Sequence, residues 1–184
     1  MFLQFVRARS ARTPMFAIAA VAAMLPGLAS AAEPPCLTAP EFTALATYSL
    51  PSVITGTVHR CAPTLPSDAF LPTEGAGLAA RYAESRETAW PAAKAAFLKL
   101  AGSSLGSGGL MKGLSDNSMQ EIVDTAIAAK VTDALPAERC GTVNRLVQLL
   151  APLPPESTAG VIALAVGLGT RSGRKIGPIT VCPA

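Results

Sequence analysis

The residues with the greatest chemical range in this chain are a single histidine, four cysteines and a scatter of carboxylates. His59 is the one imidazole in 184 residues and sits beside Arg60. A general base built on it would also need a positioned nucleophile and an orienting acid. No local pattern marks either, and a basic residue at the end of a helical segment has a dipole-compensating role of its own. Metal chemistry lacks its parts as well. One histidine, no C-x-x-C pair and no Asp-rich loop supply neither a zinc ligand set nor a calcium loop. The absence of C-x-x-C-H excludes covalent c-type haem. No cofactor and no metal is expected.

Three further motifs fail on context. Gly167-Leu168-Gly169-Thr170-Arg171-Ser172 has serine where a dinucleotide loop carries its third glycine, and too little chain follows for a βαβ unit. The glycine-rich stretch 102–113 has no Gly-Lys-Ser/Thr ending, so it is no phosphate loop. Ser172-Gly173-Arg174-Lys175 matches the bare S-x-x-K pattern without its partner motifs. The acid pairs Glu84 with Glu87 and Glu121 with Asp124 offer carboxylate dyads, but helical spacing places them on solvated faces. Arg171, Arg174 and Lys175 form the one basic cluster of the exported part, a contact candidate for an acidic partner or anionic headgroups.

The elements that hold these residues begin with an export signal. Arg7, Arg9 and Arg12 precede an apolar run from Met15 to Leu25, broken by Pro26-Gly27 and followed by Ala29-Ser30-Ala31. That order is a secretory signal peptide over 1–31, with cleavage after Ala31 or Ala32. The run is far shorter than the ~20 apolar residues that span a bilayer. No membrane span is therefore expected once the signal is removed, and the product belongs in the periplasm or the medium. Of the 15 Lys and Arg, three lie in this segment, which leaves 12 against 12 acids beyond it. A neutral exported part gives no footprint for nucleic-acid binding.

All four cysteines, Cys36, Cys61, Cys140 and Cys182, fall in 32–184. An even count in an exported chain points to two disulfides. Pairing neighbours, Cys36 with Cys61 and Cys140 with Cys182, closes two local segments.

Capping boxes, prolines and apolar periodicity predict an all-α single domain over 32–184, about five to seven short helices stapled by the two disulfides. Thr38 and Glu41 open a first helix to about Leu50, and Pro51 restarts a second that carries Val53, Ile54, Val58 and Cys61. A third starts near Thr73-Glu74, and Thr88 caps a fourth lined by Trp90, Ala93, Phe97 and Ala101. Ser118 and Glu121 form a second capping box. Behind it Met119, Ile122, Val123, Ala126, Ile127, Val131 and Leu135 face inward, opposite Glu121, Asp124, Thr125, Ala128 and Thr132. The segment Cys140–Leu150 has the clearest stripe, with Cys140, Val143, Leu146, Val147 and Leu150 on one face, so it reads as a core helix. Residues 159–168 are apolar enough to be a buried helix, or a strand as the alternative.

No residue set here carries a specific reaction. The expected function is contact: an exported helical module that binds an envelope protein or an apolar ligand. Leu105, Leu110 and Met111 on the glycine-rich loop, with the basic cluster, are the candidate surface. The alternative is a small envelope hydrolase using His59 or helix carboxylates.

Overall fold

The computed structural model describes residues 36–104, 111–171 and 181–182, all within one compact unit, Glu33–Ala184. The expected signal peptide and its cleavage site lie outside the described residues.

Helix α1, Ala39–Cys61, is the axis of the bundle. Its start is specified locally. The Thr38 hydroxyl accepts the Glu41 N–H, and the Glu41 carboxylate accepts the Thr38 N–H at 2.7 Å. This reciprocal box satisfies two end donors. The helix then runs through Pro51 without a break, where the sequence predicts two helices. Proline removes one backbone donor and crowds the preceding turn at a cost of ~3 kcal/mol. Here Pro51 is buried and α1 packs against four other helices. Tertiary burial outweighs the local cost. Side chains from Phe42 to Thr57 are buried on several faces of the helix. Buried Thr57 returns its hydroxyl to the Val53 carbonyl at 2.7 Å, and Thr55 does the same to Pro51. Such back-bonding gives each hydroxyl an acceptor within its own helix.

The helices around it are α2 (Phe70–Ala83), α3 (Arg86–Ser104), α4 (Asp116–Ala134), α5 (Cys140–Leu150) and α6 (Pro155–Arg171), with a 3-10 turn at Ala137–Arg139. Several boundaries move from their sequence-based positions. Helix α2 opens before Thr73, and α3 opens at Arg86, so Thr88 and Pro91 lie inside it rather than at its cap. Helix α4 is capped by Ser115, whose hydroxyl accepts the Ser118 N–H, so Ser118 and Glu121 are interior positions and form no capping box. Residues 159–168 are helical, as α6. Among the described residues the one β-type pairing is a parallel bridge between Leu37 and Val181.

The disulfides pair differently from the local scheme. Cys36 joins Cys182 and Cys61 joins Cys140, with Cα–Cα distances of 4.9 and 5.4 Å. The cause is the continuity of α1, an unbroken helix of 23 residues. At a rise of about 1.5 Å per residue, its length holds Cys36 and Cys61 roughly 34 Å apart, so those two can never meet. The Leu37–Val181 bridge, with the Cys182 N–H on the Leu37 carbonyl at 2.8 Å, brings the two ends of the unit together instead.

Helix α5 is also recast. Only Cys140 on it is buried, Leu146 is exposed, and the helix packs mainly on α2, with its first residue tied to the end of α1 by the Cys61–Cys140 disulfide. It is a peripheral clamp. Its stripe is satisfied at Val147 and at the Cys61–Cys140–Leu71 cluster, which anchors one edge of α2.

Candidate functional site

Two features stand out: a polar cleft between α3 and α4, and an apolar face on α6. The cleft grows from Arg86, the first residue of α3. A cation at a helix N-terminus opposes the macrodipole, so Arg86 needs an anion, and α4 supplies Asp124 to pair with it. The guanidinium lies over the Tyr48 ring, 4.4 Å from its centre, and donates to the Tyr48 hydroxyl. The ring face attracts the cation as well. Ser52 Oγ donates to Asp124 at 3.0 Å from α1. Trp90 packs against Tyr48 in a tilted arrangement, 4.8 Å between ring centres. Arg86, Asp124, Tyr48 and Ser52, from three helices, thus form one closed network.

Electrostatics follow the burial. Loss of water raises the Tyr48 phenol above its ordinary value, and the Arg86 hydrogen bond only partly offsets this. Burial works to lower Arg86, but hydrogen bonding and attraction to Asp124 win and hold its pKa up. Outside the network a cleft of about 400 Å³ opens, lined by Arg86, Glu87, Gln120, Glu121, Asp124 and Thr125 among others. Both acid pairs named from sequence contribute to it, Glu87 from one and Glu121 with Asp124 from the other. Glu84 lies in the turn before α3, outside the cleft lining. Asp124 is only partly open to solvent, where full exposure is expected. Arg86 and Ser52 hold it against α1 and α3.

At the next turns of α3 Lys94 pairs with Asp116 at the start of α4. The Lys94 ammonium holds the Asp116 carboxyl below its ordinary range. The Trp90 indole N–H is buried outside hydrogen-bond geometry with any described acceptor.

His59 is far less engaged. It is exposed in the last turn of α1, and its ring makes no hydrogen bond or ion pair with the described residues. It does not line the cleft. The imidazole and the carboxylates therefore do not converge, and among the described residues no group of three or more His, Cys, Asp or Glu could hold a metal.

The second feature is the outer side of α6. Ala159, Ala163 and Val166 face the core, while Val161, Leu164 and Leu168 are exposed, Leu164 and Leu168 by 69% and 62%. The sequence predicts a buried helix; only one side of it is. Leu146 and Leu149 of α5 are exposed too. From Ser157 to Thr170 no residue is charged. The signal for the true packing side is small residues at i and i+4, Ala159 and Ala163, which let α6 approach α1 closely.

Of the contact candidates named from sequence, Met111 is half-buried and Arg171 is the last residue of α6. Leu105, Leu110, Arg174 and Lys175 lie outside the described residues. No described helix is long and apolar enough to cross a membrane. No family model, curated protein or solved structure matches the chain.

Proposed function

We propose that the chain is an exported helical module that acts by contact, with the outer face of α6 as its contact surface. The observation that carries this is the uncharged stripe of Val161, Leu164 and Leu168, exposed along a helix whose other side is packed. Exposed leucines on one helical stripe present apolar area to water at ~25 cal/mol per Å², a cost that a bound partner or apolar ligand removes. Two disulfides support an oxidising compartment. The absence of His59 from the cleft lining weighs against a hydrolase that pairs it with the cleft carboxylates.

The test is a photo-crosslinking residue placed at Leu164 in cells that make the protein, with exposed Ala92 of α3 as control. Adducts specific to position 164 are expected. Equal, background labelling at both positions would overturn the reading.

A further inference from the structure

We infer that the Cys36–Cys182 disulfide is a redox latch, a bond that a protein dithiol opens in the folded chain while Cys61–Cys140 stays oxidised. The latch involves neither the outer face of α6 nor any partner seated on it. Thiol–disulfide exchange needs a thiolate to reach a sulfur of the bond, so access to that sulfur governs the rate. The two bonds differ in access. Cys61 and Cys140 are fully enclosed and packed with Leu71, whereas Cys36 and Cys182 are half-buried. A reductant therefore meets the outer bond in the folded state, and meets the inner one only after local unfolding.

The helices around the outer bond are held without it. Helix α1 starts on the Thr38–Glu41 box, and the Glu41 carboxylate is also paired with Lys99 of α3. Neither contact needs Cys36. The far end of α1 is tied to α5 by Cys61–Cys140, and the Arg60 guanidinium there donates to the Leu135 carbonyl at 2.9 Å. What the outer bond does hold, among the described residues, is the pairing of the two ends. That pairing is the Leu37–Val181 bridge, with the Cys182 N–H on the Leu37 carbonyl. Once the covalent tie is broken, it rests on one backbone hydrogen bond, worth about 1 kcal/mol, and on the burial of two side chains.

Those two side chains, Leu37 and Val181, are buried in the same apolar cluster as Phe42, Tyr48 and Trp90. Separation of the ends uncovers them, so the reduced chain presents an apolar surface that the oxidised chain hides. The chemistry balances with one co-reactant, a protein that carries a C-x-x-C dithiol. Its thiolate attacks one sulfur of the pair, the Cys36–Cys182 bond breaks, and a mixed disulfide forms. The second thiol of the reductant then displaces this chain, leaving Cys36 and Cys182 as thiols and the reductant as its own disulfide. Two electrons and two protons pass from the reductant to this chain.

Reduced thioredoxin supplies such a dithiol. The oxidised protein is incubated with it in the absence of denaturant, quenched with N-ethylmaleimide and mapped by peptide. Cys36 and Cys182 should be labelled at least ~10-fold faster than Cys61 and Cys140, with the far-UV helical signal unchanged. In the half-reduced species, deuterium exchange of the amide at position 182 should accelerate at least ~10-fold. The double variant Cys36→Ala/Cys182→Ala should reproduce that exchange rate with Cys61–Cys140 intact. Labelling of all four cysteines together, no labelling by the protein dithiol, or loss of the helical signal with the first labelling overturns the selective opening. Selective labelling with the amide at position 182 still protected overturns the latch, because the ends would then stay paired without their bond.

Discussion

Asn144 Oδ1 accepts the backbone N–H of Leu71 at 2.8 Å, so a side chain on α5 caps a helix 73 residues earlier in the chain. Leu71 is the second residue of α2, and the local cap position, Ala69, has no side chain able to do this. The bond therefore replaces a missing N-cap in trans. Asn144→Ala should cost about 1 kcal/mol, the usual loss for a side-chain cap. Asn144→Asp should retain most of the stability, since a carboxylate accepts the same bond and suits a helix N-terminus. Urea midpoints of the two variants check this.

Gly56 and Gly77 should respond in opposite directions to alanine. A methyl on Gly56 would run into the Ala128 backbone of α4, which cannot move without shifting the whole helix. Gly56→Ala should lose ~1–3 kcal/mol, the range for overpacking, despite the better helix propensity. Gly77 on α2 is exposed and a Cβ there would meet nothing within 4 Å. Gly77→Ala should therefore gain ~0.5–1 kcal/mol. Thermal melts of the pair read both signs.

The side chains of the Arg86–Asp124 pair are partly exposed, at 22% and 28%. Water therefore screens part of their attraction. Removing one partner still leaves the other beside buried Tyr48 and Ser52. Arg86→Met and Asp124→Asn should each cost ~1–2 kcal/mol, and the double variant should cost less than their sum, a coupling of order ~1 kcal/mol. Denaturant midpoints of the three variants complete the cycle. Additive losses would mean the two side chains are independent.

The all-α class and the oxidised state of all four cysteines were legible, because caps and periodicity are local and cysteine count follows compartment. The position of the axis was not. Helix α1 is buried on several sides and so has no single stripe, whereas α5, at the edge, has a clear one. Amphipathic periodicity finds helices with a wet face and passes over one that is surrounded. The disulfide error followed directly, since one unbroken α1 forbids the local pairing. On α4 Met119, Val123 and Ile127 pack inward and Glu121 and Thr125 are exposed as expected, but the charge of Asp124 placed the edge of the solvated face too far round. Ala128 and Thr132 in fact turn toward Gly56, with the Thr132 hydroxyl 3.5 Å from its carbonyl, while Ile122 is exposed. Which acid is neutralised by an arginine 38 residues away is a tertiary fact. The α6 stripe was visible as apolar residues, but one apolar helix side looks like another until its partner is placed.

Stability should fall at both ends of the pH scale, for different groups. The Glu41 carboxyl is held below its ordinary 4.5, first by Lys99 and then by the Thr38 N–H. A lowered carboxylate pKa stabilises the fold above the unfolded value and loses that contribution as pH drops through the folded one. Asp116, below its ordinary 3.8 beside Lys94, adds to the same acid limb. Tyr48 behaves oppositely. Burial raises its pKa above 10.0. The neutral phenol is the form the fold accepts, so folding is undisturbed below the unfolded value and loses stability as pH rises from there toward the folded one. Denaturant midpoints should stay level between about pH 5 and 9 and decline on either side. Lys99→Met should flatten the acid limb and leave the alkaline one alone.

The two disulfides should differ in worth, in the reverse of the order their loop lengths suggest. Non-reducing peptide mapping should recover Cys36 linked to Cys182 and Cys61 linked to Cys140. The first closes the longer loop, with a sequence separation of 146 against 79. Chain entropy then favours it by only about 0.5 kcal/mol, because the dependence is logarithmic. Burial decides the matter instead. Cys61 and Cys140 are enclosed with Leu71, whereas Cys36 and Cys182 are half-buried. Replacing the inner pair by serines leaves two hydroxyls in an apolar cluster, at ~1–3 kcal/mol for each one left without a partner. Cys61→Ser/Cys140→Ser should therefore lower the melting temperature clearly more than Cys36→Ser/Cys182→Ser. Equal losses would show that loop closure, and not the packing around Leu71, carries the effect.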